Sequence, residues 1–301
     1  MILQTTYLPE LVQKRLNEEF EVVRLPQEPE ARSDVLAIHG KDILGIAGKG
    51  DGRVDAELLD QLPALRIVSS FSAGLDRVDV ETCRQRGIVV TNTSHVLSED
   101  VADTGLWLVM GIARRFGEGQ NFVHDGEWLK GQMPWGASLR GLKIGIYGLG
   151  HIGKKMASRF EFLGCEVGYH DCVAQDVDYP WFSDLDDLAR WGDALVISCP
   201  ATPQTIGSVN ADILREIGPN GFVVNVARGV IVDEAALVDA LSSGVLGGAG
   251  LDVFANEPAV PPELLAHPKV ICLPHMASAT VQTRKNMGEE MIFQLKKNLA
   301  K

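Results

Sequence analysis

Three side chains able to move protons or grip a carboxylate stand just after apolar runs in the second half of the chain. Arg228 follows the run 221–226, Glu257 lies a few residues beyond the run 247–251, and His275 follows the run 270–273. A guanidinium can hold a carboxylate through two parallel N–H bonds and polarise a neighbouring carbonyl. An imidazole changes charge near neutral pH and serves as a general acid or base. A carboxylate beside it orients the ring and favours its charged form. Each residue also has an ordinary reading: a surface ion pair for Arg228, a solvated loop acid for Glu257 and a satisfied buried imidazole for His275. Their common position favours chemistry, because ligands of open α/β sheets bind outside the carboxyl ends of the strands.

A second constellation lies upstream. The apolar run Lys143-Ile-Gly-Ile-Tyr147 breaks into Gly148, Gly150 and Gly153, spaced G-x-G-x-x-G, and a helical pattern follows (Lys154, Met156, Ala157, Phe160). In that layout the first glycine makes the bend, the second lets a pyrophosphate approach the backbone, and the third lets helix and sheet pack closely. A further apolar run ends at Asp171, which is 171 − 153 = 18 residues past the last glycine, near the position expected of a ribose-binding acid. Strand, helix and acid together predict a dinucleotide site. In the first half, Ser72-Ala73-Gly74 ends the run 66–71, and small residues there can offer backbone N–H groups to an anion.

These residues need a scaffold of alternating strands and helices. In the first third, helices are expected over 9–20, 31–39 (closed by Gly40), 55–61 and 80–86, with strands over 21–25, 42–47, 66–71 and 88–90. The longest helical pattern runs from Ser98, as N-cap, to Phe116, and Trp107 and Met110 widen its apolar surface beyond one stripe. That surface predicts a subunit interface, with deep burial as the alternative. Residues 126–140, with Trp128, Pro134 and Trp135, form a long arm or loop. Beyond the glycine turn the alternation resumes: Ser183 caps a helix to Trp191, strands cover 194–198, 221–226, 247–251 and 270–273, and helices cover 212–217, 233–241 and 280–299. Repeated units of this kind imply doubly wound parallel sheets.

Composition narrows the function classes. A chain of 301 residues suggests about two domains. With 28 basic against 40 acidic residues and a net charge of −12, nucleic acid and anionic membranes are poor partners. An anionic substrate would then need a local cation. Cys83, Cys165, Cys172, Cys199 and Cys272 are scattered and lack C-x-x-C spacing, so neither a metal site nor a disulfide framework is expected, and a reduced, cytoplasmic setting fits. The N-terminus lacks the pattern of a signal peptide, and no apolar run approaches the roughly 18 residues of a membrane span.

The segments Val89-Val-Thr-Asn-Thr, Glu99-Asp-Val-Ala-Asp, Gly148-Leu-Gly-His-Ile-Gly, Val224-Asn-Val-Ala-Arg228-Gly, Gly250-Leu-Asp-Val-Phe-Ala-Asn-Glu257-Pro and Leu273-Pro-His275-Met-Ala-Ser-Ala-Thr resemble the D-isomer-specific 2-hydroxyacid dehydrogenases. The motifs come in family order from about residue 35 to the C-terminus. The nearest likeness is to the glyoxylate, hydroxypyruvate and hydroxyphenylpyruvate reductase branch. The resemblance implies two doubly wound parallel-sheet domains, an NAD-binding Rossmann domain (96–279) inserted into a flavodoxin-like substrate domain (1–95 plus 280–301). Hinges would fall near Thr93–Ser98 and Pro274–Ser278.

It also implies roles. A hydride passes from a nicotinamide cofactor to the carbonyl carbon of a 2-oxo acid, giving the D-2-hydroxy acid. His275 matches the family's acid/base, Glu257 its carboxylate partner, and Arg228 the arginine that binds substrate, with Ser72, Ala73 and Gly74 on the other side of the carboxylate. The cofactor-binding positions that match are Thr104, Gly148, Gly150, His151, Ile152, Gly153, Asp171, Cys199, Pro200, Thr205, Val226, Ala227, Asp252, His275 and Ser278. Similar proteins form homodimers through the cofactor domain, and Trp135 would enter the partner's substrate pocket or else pack on its own domain. Asp171 can bond ribose hydroxyls but would repel a 2′-phosphate, and residues 172–189 contain no Lys or Arg. NAD(H) is therefore expected over NADP(H), against the habit of the branch, in which an uncharged residue followed by arginine usually stands at 171–172. A formate-type dehydrogenase would carry glutamine where Glu257 stands. A dinucleotide-sensing corepressor would keep the trio but would suit a disordered tail, which this sequence lacks.

Overall fold

The computed structural model describes residues 1–50 and 52–300. The chain divides into two compact units, Met1–Leu97 with Ser278–Lys301 (unit 1) and Ser98–Ala277 (unit 2).

Unit 1 is built on five parallel strands: β1 (Ile2–Gln4), β2 (Val22–Arg24), β3 (Gly45–Gly48), β4 (Ile67–Ser70) and β5 (Val89–Thr91). They lie in the order β2-β1-β3-β4-β5, the flavodoxin-like winding whose strand order reverses between β1 and β3. Helices Glu10–Glu19, Pro29–His39, Ala56–Asp60, Val80–Gln85 and Val281–Leu299 complete the unit. The last begins at Thr280, whose hydroxyl accepts the Thr283 N–H. It packs on the sheet, where Ser69 Oγ donates to the Met291 carbonyl at 3.2 Å and Met291 and Leu295 are buried.

Strand β1 is absent from the sequence expectations. Three residues ahead of polar Thr5 and Thr6 show no periodicity, yet Ile2 and Leu3 are fully buried. Burying each is worth roughly 1.5–3 kcal/mol, so tertiary packing rather than local pattern makes this strand. Gly40 also departs from expectation. It is right-handed (φ −53) and leads into a 3₁₀ turn over Gly40–Asp42 instead of closing the helix in a left-handed cap.

Unit 2 carries seven parallel strands: β6 (Lys143–Tyr147), β7 (Glu166–His170), β8 (Trp181–Phe182), β9 (Ala194–Ile197), β10 (Phe222–Asn225), β11 (Gly248–Leu251) and β12 (Val270–Cys272). Their order, β12-β11-β10-β9-β6-β7-β8, is the dinucleotide-fold winding with an added edge strand, and it reverses between β6 and β9. Residues 144–147 and 194–197 are buried on both sides of that switch, as parallel strands covered by helices require.

The long helix starts four residues earlier than expected, at Ser94, and ends at Ala113. Its start is set by Asn92, whose side-chain oxygen accepts the Ser94 N–H, and by Thr93, whose carbonyl accepts from Val96 and Leu97. Ser98 is therefore a buried helix residue, not the cap. A separate helix, Phe116–His124, follows a break at Arg115. Arg115 takes a left-handed φ of 57° and pairs through its guanidinium with Glu118; neither glycine nor proline marks the break. Likewise Asp184, not Ser183, precedes the helix Leu185–Trp191, while Ser183 donates to the Asp184 carboxylate. No helix among the described residues is long and apolar enough to cross a membrane.

Candidate active site

The glycine turn of unit 2 is shaped as a phosphate cradle must be. Gly148 leaves β6 with φ +94, and a Cβ there would sit 2.6 Å from the Cys199 backbone. A Cβ on Gly153 would overlap the Gly148 carbonyl, so only glycine lets the helix His151–Phe162 start this close to the strand. A Cβ on Gly150, by contrast, would meet nothing within 4 Å. The open side of the turn therefore lies at Gly150, at the N-terminus of a twelve-residue helix, where unpaired N–H groups and the helix dipole favour a pyrophosphate. A dinucleotide fits these residues.

Asp171, at the end of β7, is tied to that turn. Its Oδ2 accepts the Leu149 N–H at 2.8 Å and a Gln175 side-chain N–H at 3.1 Å; its Oδ1 accepts the Cys172 N–H at 2.8 Å. The Cys172 thiol also points at Oδ1, and the attraction of its proton to the carboxylate pushes the thiol pKa up. Gln175 is placed by the buried Tyr169, whose hydroxyl accepts the Gln175 N–H at 2.8 Å. Gln175 and Tyr169 have no sequence signal for this work, because the loop between them has no periodicity. Cys199, Pro200 and Thr205 occupy the end of β9 and the following loop, where Thr205 Oγ1 donates to the Pro200 carbonyl at 2.7 Å. Burial raises the Cys199 thiol to a pKa of about 12, so it is an inert packing group at neutral pH. A cavity of about 310 Å³ beside Tyr147 and His170 contains none of Arg228, Glu257 and His275.

Arg228 follows β10 and the residues Val226 and Ala227. Asn225, fully buried at the end of β10, accepts the Ala227 N–H at 3.0 Å and donates to the Arg228 carbonyl at 2.9 Å. This side-chain turn sets the direction in which the chain leaves the strand. The Arg228 Nη1 donates to the Ala227 carbonyl at 2.7 Å. Gly229 admits the neighbouring loop so closely that a Cβ would overlap the Phe254 carbonyl group.

Glu257 and His275 meet in that region. The His275 Nδ1 lies 2.7 Å from Glu257 Oε2, and Glu257 Oε1 accepts the Phe254 N–H at 3.1 Å. With a carboxylate as its partner, Nδ1 carries a proton and donates it, which leaves Nε2 to face outward. Half of the His275 side chain is exposed. Its backbone is left-handed, φ 51, an uncommon conformation for a side chain with a Cβ.

Asp252 holds that turn in place. Wholly buried at the end of β11, it accepts the Met276 N–H on Oδ1 at 2.8 Å and the Ala277 N–H on Oδ2 at 3.0 Å, while its carbonyl accepts the His275 N–H at 2.8 Å. Burial raises its pKa and the two backbone N–H bonds pull it down, burial being the larger effect. Both oxygens thus serve the His275 turn. Thr104, on the long helix, donates to the Ala277 carbonyl at 3.4 Å. No group of three or more His, Cys, Asp or Glu among the described residues could hold a metal ion.

Unit 1 holds the remaining candidates. Ser72, Ala73 and Gly74 follow β4. The Ser72 hydroxyl is spent internally, against Ser70 Oγ at 2.7 Å and the Gly74 carbonyl at 2.6 Å, and Asn92 and Thr93 bond the Ala73 and Ser72 carbonyls. The loop therefore offers backbone N–H groups rather than its hydroxyl. Ser278 lies just before the terminal helix, in the same unit. Trp135, on the arm of unit 2, is 92% exposed and so does not pack on its own unit, while the arm is fixed to the long helix by the Ala137 N–H on the Ala113 carbonyl.

The chain is similar to known proteins over almost its whole length. Residues 106–277 match the D-isomer specific 2-hydroxyacid dehydrogenase NAD binding domain. The chain is 40% identical over 292 residues to the hydroxyphenylpyruvate reductase of Plectranthus scutellarioides, covering 97% of this chain and 92% of that protein. Among solved structures, the NADPH-dependent glyoxylate/hydroxypyruvate reductase of Sinorhizobium meliloti, in complex with NADP and malonate, superposes with a TM-score of 0.87 at 41% identity, over 98% of this chain and 92% of that one. The 2-hydroxyacid dehydrogenase of Ketogulonicigenium vulgare superposes with a TM-score of 0.89 at 34% identity, over 99% and 95%.

Proposed function

This chain belongs to the D-isomer-specific 2-hydroxyacid dehydrogenase family, an oxidoreductase that works on 2-oxo acids with a nicotinamide dinucleotide, and we propose that it reduces a small 2-oxo acid such as glyoxylate or hydroxypyruvate to the D-2-hydroxy acid with His275 as proton donor. The observation that carries this reading is the 2.7 Å contact between His275 and Glu257 at the carboxyl edge of the sheet that bears Arg228. The reduced cofactor supplies the hydride to the carbonyl carbon. Arg228 grips the substrate carboxylate and polarises the carbonyl, and the amides after β4 receive the carboxylate as well. The proton on His275 Nε2 passes to the carbonyl oxygen as the C–O double bond becomes a hydroxyl, and Glu257 stabilises the charged ring while it waits.

The preferred cofactor is NAD(H), with NADP(H) second. Asp171 carries the argument: its carboxylate is fastened to the glycine turn by Leu149, so it cannot swing away, and a 2′-phosphate brought beside it would meet like charge. One assay tests both readings. NADH oxidation with glyoxylate, hydroxypyruvate and hydroxyphenylpyruvate should show turnover, with kcat/KM for NADH at least about tenfold above that for NADPH, the equivalent of ~1.4 kcal/mol. No turnover with any of the three rejects the reductase, and an NADPH preference rejects the cofactor assignment alone. Asp171→Ser with Cys172→Arg should move the preference toward NADPH.

A homodimer formed through unit 2 completes the reading. Trp107, Phe116, Val123, Trp128, Leu129 and Trp135 are all exposed large apolar side chains on the long helix, its successor and the arm, the kind of surface that marks a protein–protein contact. In the dimer Trp135 reaches the substrate pocket of the second copy. Light scattering should give twice the chain mass, and Trp107→Glu should halve it; a monomeric wild type would overturn the assignment.

A further inference from the structure

We propose that Arg284 binds the carboxylate of the 2-oxo acid from unit 1, together with the backbone N–H groups of Ser72, Ala73 and Gly74. The proposal rests on the reductase reading and adds a second cation to it.

Arg284 lies in the first turn of the helix Val281–Leu299, and its guanidinium carbon stands 5.8 Å from the ring centroid of Phe71, the residue before the loop. Its other contact is a long one, 4.0 Å from Nη1 to Met287 Sδ. No carboxylate among the described residues pairs with it. Four other arginines of unit 1 do pair with carboxylates: Arg15 with Glu18, Glu19 and Glu289, Arg53 with Asp55, Arg84 with Glu81 and Arg86 with Asp60. Burial alone pulls the Arg284 pKa below its ordinary value. A partly desolvated cation without an anion is costly.

The surroundings add to that cost. The helix has no acidic residue in its first turn, so Arg284 faces the positive end of a nineteen-residue helix dipole. In the adjoining loop, the N–H groups of Ser72, Ala73 and Gly74 meet no acceptor among the described residues. The loop is held in shape from beneath: the Phe71 N–H donates to the Gly48 carbonyl at 2.7 Å and the Thr93 N–H to the Ser72 carbonyl at 2.9 Å. Lys49, after β3, also pairs with no carboxylate among the described residues and lies 5.8 Å from the Tyr7 ring. Cation, helix N-terminus and unsatisfied amides thus gather at one edge of a chain whose net charge is −12. A small carboxylate satisfies all three.

Two variants of the full chain test this. Arg284→Met keeps an aliphatic stem on Phe71 and removes the charge; Arg284→Lys keeps the charge. The methionine variant should raise the KM for glyoxylate about ten- to a hundredfold, the range of a lost charge-assisted contact, with kcat at saturation and the KM for NADH little changed. The lysine variant should recover most of the loss. Added sodium chloride should raise the wild-type KM more steeply than that of the methionine variant, because a screened charge is the cause. Calorimetric titration with oxalate should show the same loss of affinity, and it reads the anion site even if no 2-oxo acid is turned over. Unchanged KM and unchanged oxalate affinity in Arg284→Met would overturn the proposal, as would a fall in kcat or thermal stability with KM intact, which marks a purely structural cation on Phe71. A wild type that binds oxalate through Arg284 yet reduces no 2-oxo acid would reject the reductase reading and keep the anion site.

Discussion

Replacing His275 by asparagine is expected to lower kcat about 10²–10⁴-fold, the usual contribution of a positioned acid or base, while NADH still binds with near-wild-type affinity. Asparagine suits the left-handed backbone that His275 adopts (φ 51), better than most residues do, so the turn should survive and the loss should belong to the proton. Burst-free steady-state kinetics with a saturating 2-oxo acid, paired with fluorescence titration of NADH, separate the two effects. Turnover within threefold or so of wild type would place the acid elsewhere. Glu257→Gln is expected to cost less, because the amide oxygen can still accept the Nδ1 proton at the 2.7 Å contact although it no longer stabilises a charged ring.

Asp252→Ala is expected to remove about 2–4 kcal/mol of stability and most of the activity. Two buried backbone N–H groups, those of Met276 and Ala277, would lose their acceptor, at roughly 1–3 kcal/mol each, and water has poor access to a residue with no exposed surface. Denaturant midpoints at constant m-value measure the first effect. Asp252→Asn should cost less, since one side-chain oxygen remains to accept. The pH dependence has a defined sign. Burial raises the Asp252 pKa above its unfolded value, so this group favours folding most when protonated, at pH below the unfolded pKa, and that contribution is lost as pH rises through the folded pKa. Wild type should accordingly lose relative stability against Asp252→Asn as pH climbs out of the acid range. A midpoint difference that stays flat with pH would rule out a raised pKa.

Much of the scaffold was legible before any coordinates. The run Lys143–Tyr147 is a strand with the expected bounds, and the run that ends before Asp171 is the strand Glu166–His170, because buried parallel strands are short, apolar and closed by glycine or a polar residue. Gly164 ends its helix with φ +80, as a glycine after an apolar helix predicts. What escaped was local structure with no local cause. β1 is a central strand of only three residues, recruited by its neighbours on both sides. The break at Arg115 rests on an ion pair with Glu118 that no turn residue announces.

At the candidate site, residue types and strand ends were visible in the sequence: Gly148, Gly150 and Gly153 with Asp171 18 residues on (171 − 153 = 18), and Arg228, Glu257 and His275 each after an apolar run. Those follow from chemistry and period, which one dimension records. The tertiary structure alone decided who touches whom. It set Asp171 on the Leu149 amide, turned Asp252 toward the amides after His275, and closed His275 on Glu257 across 18 positions of chain (275 − 257 = 18). It also left Arg284 over Phe71, 213 positions away (284 − 71 = 213), with no carboxylate partner among the described residues. The physical reason is the range of the forces. Propensity and periodicity act over a few residues, whereas hydrogen bonds and desolvation act between groups that only the finished fold brings within a few ångströms of one another.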